Sequence, residues 1–170
     1  MYAAQLKSIV TADPLRLRVL HLVRDLNLPD CWVAAGFVRS AVWDHLHQRH
    51  TAIQAADIDV IWFDASAPKA MDSSIEIKLC RADNTLDWSV KNQAHMHVRN
   101  GDALYTSATE AMMHWPETAT AVAVRLNKKG ALEVAAPFGL DDLFGLVVRP
   151  TPTFEKKKRH IYLKRAQTKH

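Results

Sequence analysis

Residues 55–64 read AADIDVIWFD. Ala55, Ala56, Ile58, Val60, Ile61, Trp62 and Phe63 carry the β-branched and apolar character of a strand inside a core. Asp57 and Asp59 interrupt that run, and an ionised carboxylate is costly to bury without a partner. Side chains two apart on a strand point to the same face. The two carboxylates therefore stand side by side, with Ile58 on the opposite face. Adjacent carboxylates repel, and one is driven to protonate unless a cation intervenes. Mg²⁺ resolves the conflict, because it binds through one or two carboxylates together with water and substrate phosphates. The alternative is a strand end at which both carboxylates reach water or pair with Arg and Lys.

The flanking sequence bears on that choice. Upstream, VAAGFVRSAVWDHL runs from apolar residues into Gly36 and then takes up helical periodicity through Val38, Val42, Trp43 and Leu46. A glycine at a helix start permits close approach, and the first amides and positive dipole end of a helix suit an anion. Arg39 and Ser40, in the first turn, can donate to phosphate oxygens. Downstream, LDWSVKN reads as extended and supplies a third acid, Asp87. A third acid on a neighbouring strand either completes a metal site or takes the proton of an acceptor hydroxyl. Lys91 shares the face of Asp87 and Ser89, where it binds phosphate or pairs with a carboxylate.

Taken together, GFVRSAVWDHLH, DIDVIWFD, WSVKNQAHMH, WPETATAVAVRL, APFGLDDLF and VVRPTPTF resemble a family of small, uncharacterised bacterial nucleotidyltransferase-like proteins. That family belongs to the superfamily of polymerase β-type nucleotidyltransferases. The blocks span about residues 30 to 154 and are specific only as a set. The resemblance implies an α/β (α+β) fold, a mixed twisted sheet flanked by helices. It implies a carboxylate-bound Mg²⁺, and on that reading Asp57, Asp59 and Asp87 are the expected metal ligands and Gly36, Arg39, Ser40 and Lys91 the expected phosphate-binding residues. The implied reaction moves a nucleoside monophosphate from a nucleoside triphosphate to a hydroxyl acceptor and releases pyrophosphate. The chain departs from the pattern at three places. Phe37 follows Gly36 where the superfamily has a second glycine or a serine. His95 stands where closer relatives have arginine. The gap from Gly36 to Asp57 is long. These departures keep a second function in play, a catalytically degenerate module of the same fold that binds nucleotide or RNA. A subunit bound to a protein partner is a third class.

The rest of the chain sets bounds. Its 170 residues suit one domain with a sizeable core. No apolar run approaches the ~20 residues of a membrane span, and the N-terminus lacks the apolar core of a signal peptide. Cys31 and Cys80, without paired spacing, read as two buried thiols in a reducing compartment, so the cytoplasm is the expected location. The net charge of +4 is uneven: residues 155–170 carry seven Lys and Arg against Glu155 alone. The domain is therefore read as 1–154, slightly acidic, followed by a basic helical tail that offers a weak nucleic-acid contact.

Further elements follow from local signals. Asp13 and Pro14 open a helix whose apolar face is Leu15, Val19, Leu22, Val23 and Leu26. APKAMDSSIEIKLCRAD and QAHMHVRNG read as helices, the second ending at Gly101. TSATEAMMHW reads as a helix capped by threonine and stopped by Pro116. TATAVAVRL and ALEVAAP form a hairpin about KKG, and VVRPTP is a short strand ended by prolines. Glu117 faces either the site or solvent. His45, His47 and His50, at spacings of two and three, do not share one helical face and read as exposed.

Overall fold

A computed structural model describes residues 2–48 and 57–156. Its centre is a five-stranded mixed sheet in the order β3-β2-β1-β4-β5. The strands are β1 (Trp32–Ala34), β2 (Ile58–Trp62), β3 (Trp88–Asn92), β4 (Ala123–Leu126) and β5 (Leu132–Ala135). Strand β2 pairs parallel to β3, whereas β1 runs antiparallel to both β2 and β4, and β4 and β5 form the hairpin expected about KKG.

Alternation along the strands sorts side chains into two layers. Val33, Ile58, Val60, Trp62, Val90, Val124 and Leu132 join the larger core, together with helices α1 (Tyr2–Thr11), α2 (Pro14–Arg24), α3 (Gly36–Leu46) and α4 (Met71–Ala82). Trp32, Ala34, Ile61, Ala123 and Ala135 face the other way and meet Ala108 and Met112 of the short helix α6 (Ala108–Met112). The alanines on that face let α6 approach closely. It is on this thinly covered side that Asp59, one residue out of phase with Ile58 and Val60, emerges. Period-2 alternation thus explains how a core strand carries carboxylates.

Local chemistry sets the helix ends. The side chain of Asp13 accepts the Leu15 and Arg16 amides at the start of α2, with Pro14 at its first position. Helix α5 (Met96–Asn100), preceded by a 3₁₀ turn at Gln93–His95, ends at Gly101 in the left-handed region, φ 69°. The cap of α6 is Ser107, whose hydroxyl accepts the Glu110 amide, and not a threonine. TATAVAVRL is a strand only from Ala123; Thr118–Thr120 forms a 3₁₀ turn. VVRPTP forms no strand, only one bridge between Glu117 and Pro150. Pro150 and Pro152 have no N–H to lend a ladder. The remaining helices are α7 (Asp141–Phe144) and α8 (Pro152–Lys156). Cys31 is buried and its thiol is pushed up to about 12, chiefly by desolvation, but Cys80 is exposed on the outer side of α4. The two-buried-thiols expectation is corrected there: α4 buries Ile75 and Leu79, and the next residue falls off that face. Of the histidines, His45 and His47 are exposed as expected. His50, Ala55, Ala56 and the tail beyond residue 156 lie outside the described residues.

Strand β3 is a sheet edge, and α4 closes it. Glu76 accepts the Val90 N–H (2.8 Å), and Asp72 accepts the Asn92 N–H (3.0 Å) and the indole N–H of fully buried Trp62 (2.7 Å). Backbone donors of an open edge would otherwise invite another strand.

Candidate active site

A cavity of about 440 Å³ opens where β1 ends and β2 begins. Asp57, immediately before β2, and Asp59, within it, both line it, so the shared face expected from their spacing is present. Ser89 and Lys91 line it from β3, and Gly36 and Arg39 from the start of α3. Glu117, His114, Trp115 and Thr120 form the opposing wall.

The turn into α3 has an unusual backbone. Ala35 sits at φ 58°, ψ −123°, a conformation that glycine adopts without strain and alanine does not. Its N–H donates to the Val122 carbonyl, and its own carbonyl accepts the Val38 and Arg39 amides. The position in this turn that favours glycine is therefore 35, not 37. Phe37 is 1% exposed and packs in the core. At Gly36, beyond its chain neighbours and its own helix backbone, nothing among the described residues lies within 4 Å of where a Cβ would stand. The missing side chain leaves that volume to whatever occupies the cavity.

Buried Arg16 holds this turn from behind. Its guanidinium donates to the Phe37 carbonyl (3.2 Å), to Ser40 Oγ (3.1 Å) and to Asp13 (2.6 Å). Ser40 Oγ in turn donates to the Gly36 carbonyl at 2.6 Å. Ser40 is thus engaged within the turn and is not part of the cavity lining, in contrast to Gly36 and Arg39. Arg39 extends over Trp43, 5.3 Å from the ring centroid, and its Nη1 lies 4.0 Å from Glu117 Oε2.

Asp87 is exposed just before β3, and its carbonyl accepts the Ile58 N–H at 2.7 Å. The register, Ile58 with Trp88, puts it one strand across from Asp57, at the rim rather than in the lining. Among the described residues no three His, Cys, Asp or Glu side chains are grouped to hold a metal ion. What the chain offers a cation here is the Asp57–Asp59 pair, hard oxygen donors of the kind Mg²⁺ takes alongside phosphate. His95 Nε2 meets the Ala67 carbonyl at 2.8 Å and lies outside the lining. Asn92 caps the 3₁₀ turn through the Ala94 N–H and binds Asp64, a structural role.

Sequence reasoning left Glu117 open, and the structure places it in the wall, 6% exposed. The segment bearing it is stapled to residues 149–151. The Thr118 N–H donates to the Arg149 carbonyl and the Thr151 N–H to the Pro116 carbonyl, each at 3.0 Å, and Thr151 Oγ1 donates to the Trp115 carbonyl. Those partners lie 31 to 36 residues apart in sequence, and no local pattern announces them.

A mixed sheet with a glycine turn, a helix start and an aspartate pair over one cavity defines the head fold of polymerase β-type nucleotidyltransferases. Residues 21–170 match a family described as nucleotidyltransferase, and the chain belongs to that family. A solved structure described as a CCA-adding enzyme head domain shares 35% identity and superposes with a TM-score of 0.88, covering 98% of this chain and 88% of that one. A CCA-adding enzyme in complex with CTP is 18% identical, with a TM-score of 0.60 over 92% of this chain and 39% of that one. The Thermotoga maritima CCA-adding enzyme complexed with tRNA is 19% identical, with a TM-score of 0.55 over 88% and 36%. These last two share the fold, and the chain spans under two fifths of their length. No curated protein sequence matches the chain.

Proposed function

We propose that this protein is a Mg²⁺-dependent nucleotidyltransferase that moves a nucleoside monophosphate from a nucleoside triphosphate to a hydroxyl acceptor, releasing pyrophosphate. One observation carries the reading: Asp57 and Asp59 open onto the same cavity as Gly36, Arg39 and Lys91. Among the described lining residues three carboxylates outnumber two fixed cations, Arg39 and Lys91. Paired carboxylates supply the oxygen donors of a cation that accompanies a triphosphate.

Asp57 and Asp59 are the residues that would hold Mg²⁺. Bound there with the triphosphate, the cation supplies charge neutralisation and polarisation of the α-phosphate. Arg39 and Lys91 hold the β and γ phosphates, and Gly36 lets them approach the amides at the start of α3. Asp87, at the rim, takes the proton of the acceptor hydroxyl as it attacks in line. Ser40 keeps the turn in shape through Arg16 and Gly36. The solved complexes make CTP the first donor to try and tRNA the first acceptor.

Calorimetric titration of each of the four ribonucleoside triphosphates, with and without Mg²⁺, tests this in wild type and Asp57→Ala. Mg²⁺-dependent binding that the variant loses is the expected result. No binding of any triphosphate would sink the enzyme reading. It would move the assignment to a degenerate module that binds RNA without Mg²⁺, a reading favoured by the rim position of Asp87 and the tethering of His95.

A further inference from the structure

Glu117 is a buried carboxylate in a wall that the reaction above leaves without a task. Its side chain is 8% exposed, and the guanidinium of Arg39, 29% exposed, lies 4.0 Å away. A pair kept only for stability closes to charge-assisted hydrogen-bond contact, about 2.7–2.9 Å. At 4.0 Å the guanidinium feels the carboxylate without committing its donors to it. The opposite side of Arg39 is restrained by the face of Trp43, whose indole N–H is itself fixed to the Leu143 carbonyl at 3.0 Å. A long, rotamer-rich side chain is thus confined between an aromatic face and a charge.

We propose that Glu117 is a positioning residue. It holds the Arg39 guanidinium in the cavity with its donors open toward an incoming polyphosphate. This rests on the reading of Arg39 as a phosphate ligand. The backbone favours a fixed Glu117. It forms the bridge with Pro150, its neighbour Thr118 donates N–H to Arg149, and Thr118 Oγ1 donates to Asp142 (2.6 Å) at the start of α7. A mobile carboxylate would follow Arg39; a stapled one sets where Arg39 stands. Confinement before binding removes ordering cost at the moment of binding. The negative charge of Glu117 would by itself repel phosphate, so the proposal has a definite sign. If positioning dominates, removing the charge weakens phosphate binding; if repulsion dominates, removing it tightens binding.

The experiment is a double-mutant cycle read by calorimetry, with inorganic tripolyphosphate and Mg²⁺ as the probe, so that no base contact enters. The proteins are wild type, Glu117→Gln, Arg39→Ala and the double variant, each checked for native circular dichroism. Glu117→Gln is expected to weaken binding about tenfold, the scale on which a residue behind a ligating group acts. In the Arg39→Ala background the same change is expected to have no effect. Glu117→Asp, which keeps the charge but draws it back, should fall between wild type and Gln, and it carries the test if Gln fails to fold. Unchanged or tighter binding by Glu117→Gln, or an equal loss in both backgrounds, would overturn the positioning role while Arg39 stands. An Arg39→Ala protein that binds like wild type would overturn the phosphate assignment of Arg39, and this inference with it.

Discussion

Two groups of carboxylates flank strands β2 and β3, and the fold treats them differently. On the α4 side, Asp72, Glu76 and Asp83 are each aimed at by protein donors: an indole and two edge amides for the first two, Thr85 and Arg18 for the third. On the cavity side, Asp57 and Asp59 face a space large enough for a ligand. The residue type is shared, and the spacing in sequence is unremarkable in both places. What distinguishes the two groups is position: the second lines the cavity and the first does not.

That contrast can be broken by substitution. Asp59→Asn should reduce Mg²⁺-dependent triphosphate binding by at least about 100-fold, the upper scale for disturbing a metal-holding group, with an unchanged thermal midpoint. Retained binding would place Asp59 with the structural group. Asp72→Ala should do the reverse. It strands the buried Trp62 indole N–H and an edge amide, costing about 2–4 kcal/mol and lowering the midpoint by roughly 5–15 °C, with binding per folded molecule kept. A variant that melted normally yet lost binding would mean the two groups are not separate.

Asp83 gives a smaller, pH-dependent effect. Hydrogen bonds from the Thr85 hydroxyl and amide, and then the Arg18 charge, hold its carboxyl below the ordinary carboxylate value. A group depressed by folding stabilises above its unfolded value, about 3.9, and loses that contribution as the pH falls through its folded value. Asp83→Asn should therefore cost about 1–2 kcal/mol at pH 7 by denaturant titration, and the gap to wild type should narrow below pH ~4. A gap independent of pH would remove the ionised carboxylate from the account. The smallest effect belongs to Ala35→Gly. Relief of about 1–3 kcal/mol of backbone strain is partly offset by the entropy of glycine, about 0.5–1 kcal/mol. A midpoint a few degrees higher is expected, and a lower one would show that the Ala35 methyl contributes more packing than its backbone costs.

The sequence made the centre of the fold readable and its periphery less so. The aspartate strand, the helix after Gly36, the α4 helix and the β4–β5 hairpin all carry strong periodicity, and all are present. TATAVAVRL was over-read because its first alternating residues mimic a strand while the chain there makes a 3₁₀ turn. Small residues at alternate positions do not reveal where pairing begins. The strained backbone at Ala35 was not legible, because a backbone angle leaves no trace in residue type. Ser40 was plausible as a phosphate donor by position, but an arginine twenty-four residues upstream had already engaged it. Glu117 illustrates the same limit, since its burial depends on pairing between segments distant in the chain.

The staple between residues 115–118 and 149–151 has a consequence for the order of events during synthesis. All five strands lie before Ala136, so a chain emerging from the ribosome can assemble the sheet early. The wall that faces the aspartates cannot be completed until Arg149, Thr151 and Phe154 have been made and docked. The site is thus among the last parts of the described chain to mature, and a nascent chain halted at the hairpin would hold its aspartates opposite a wall whose staple to residues 149–151 has yet to be made.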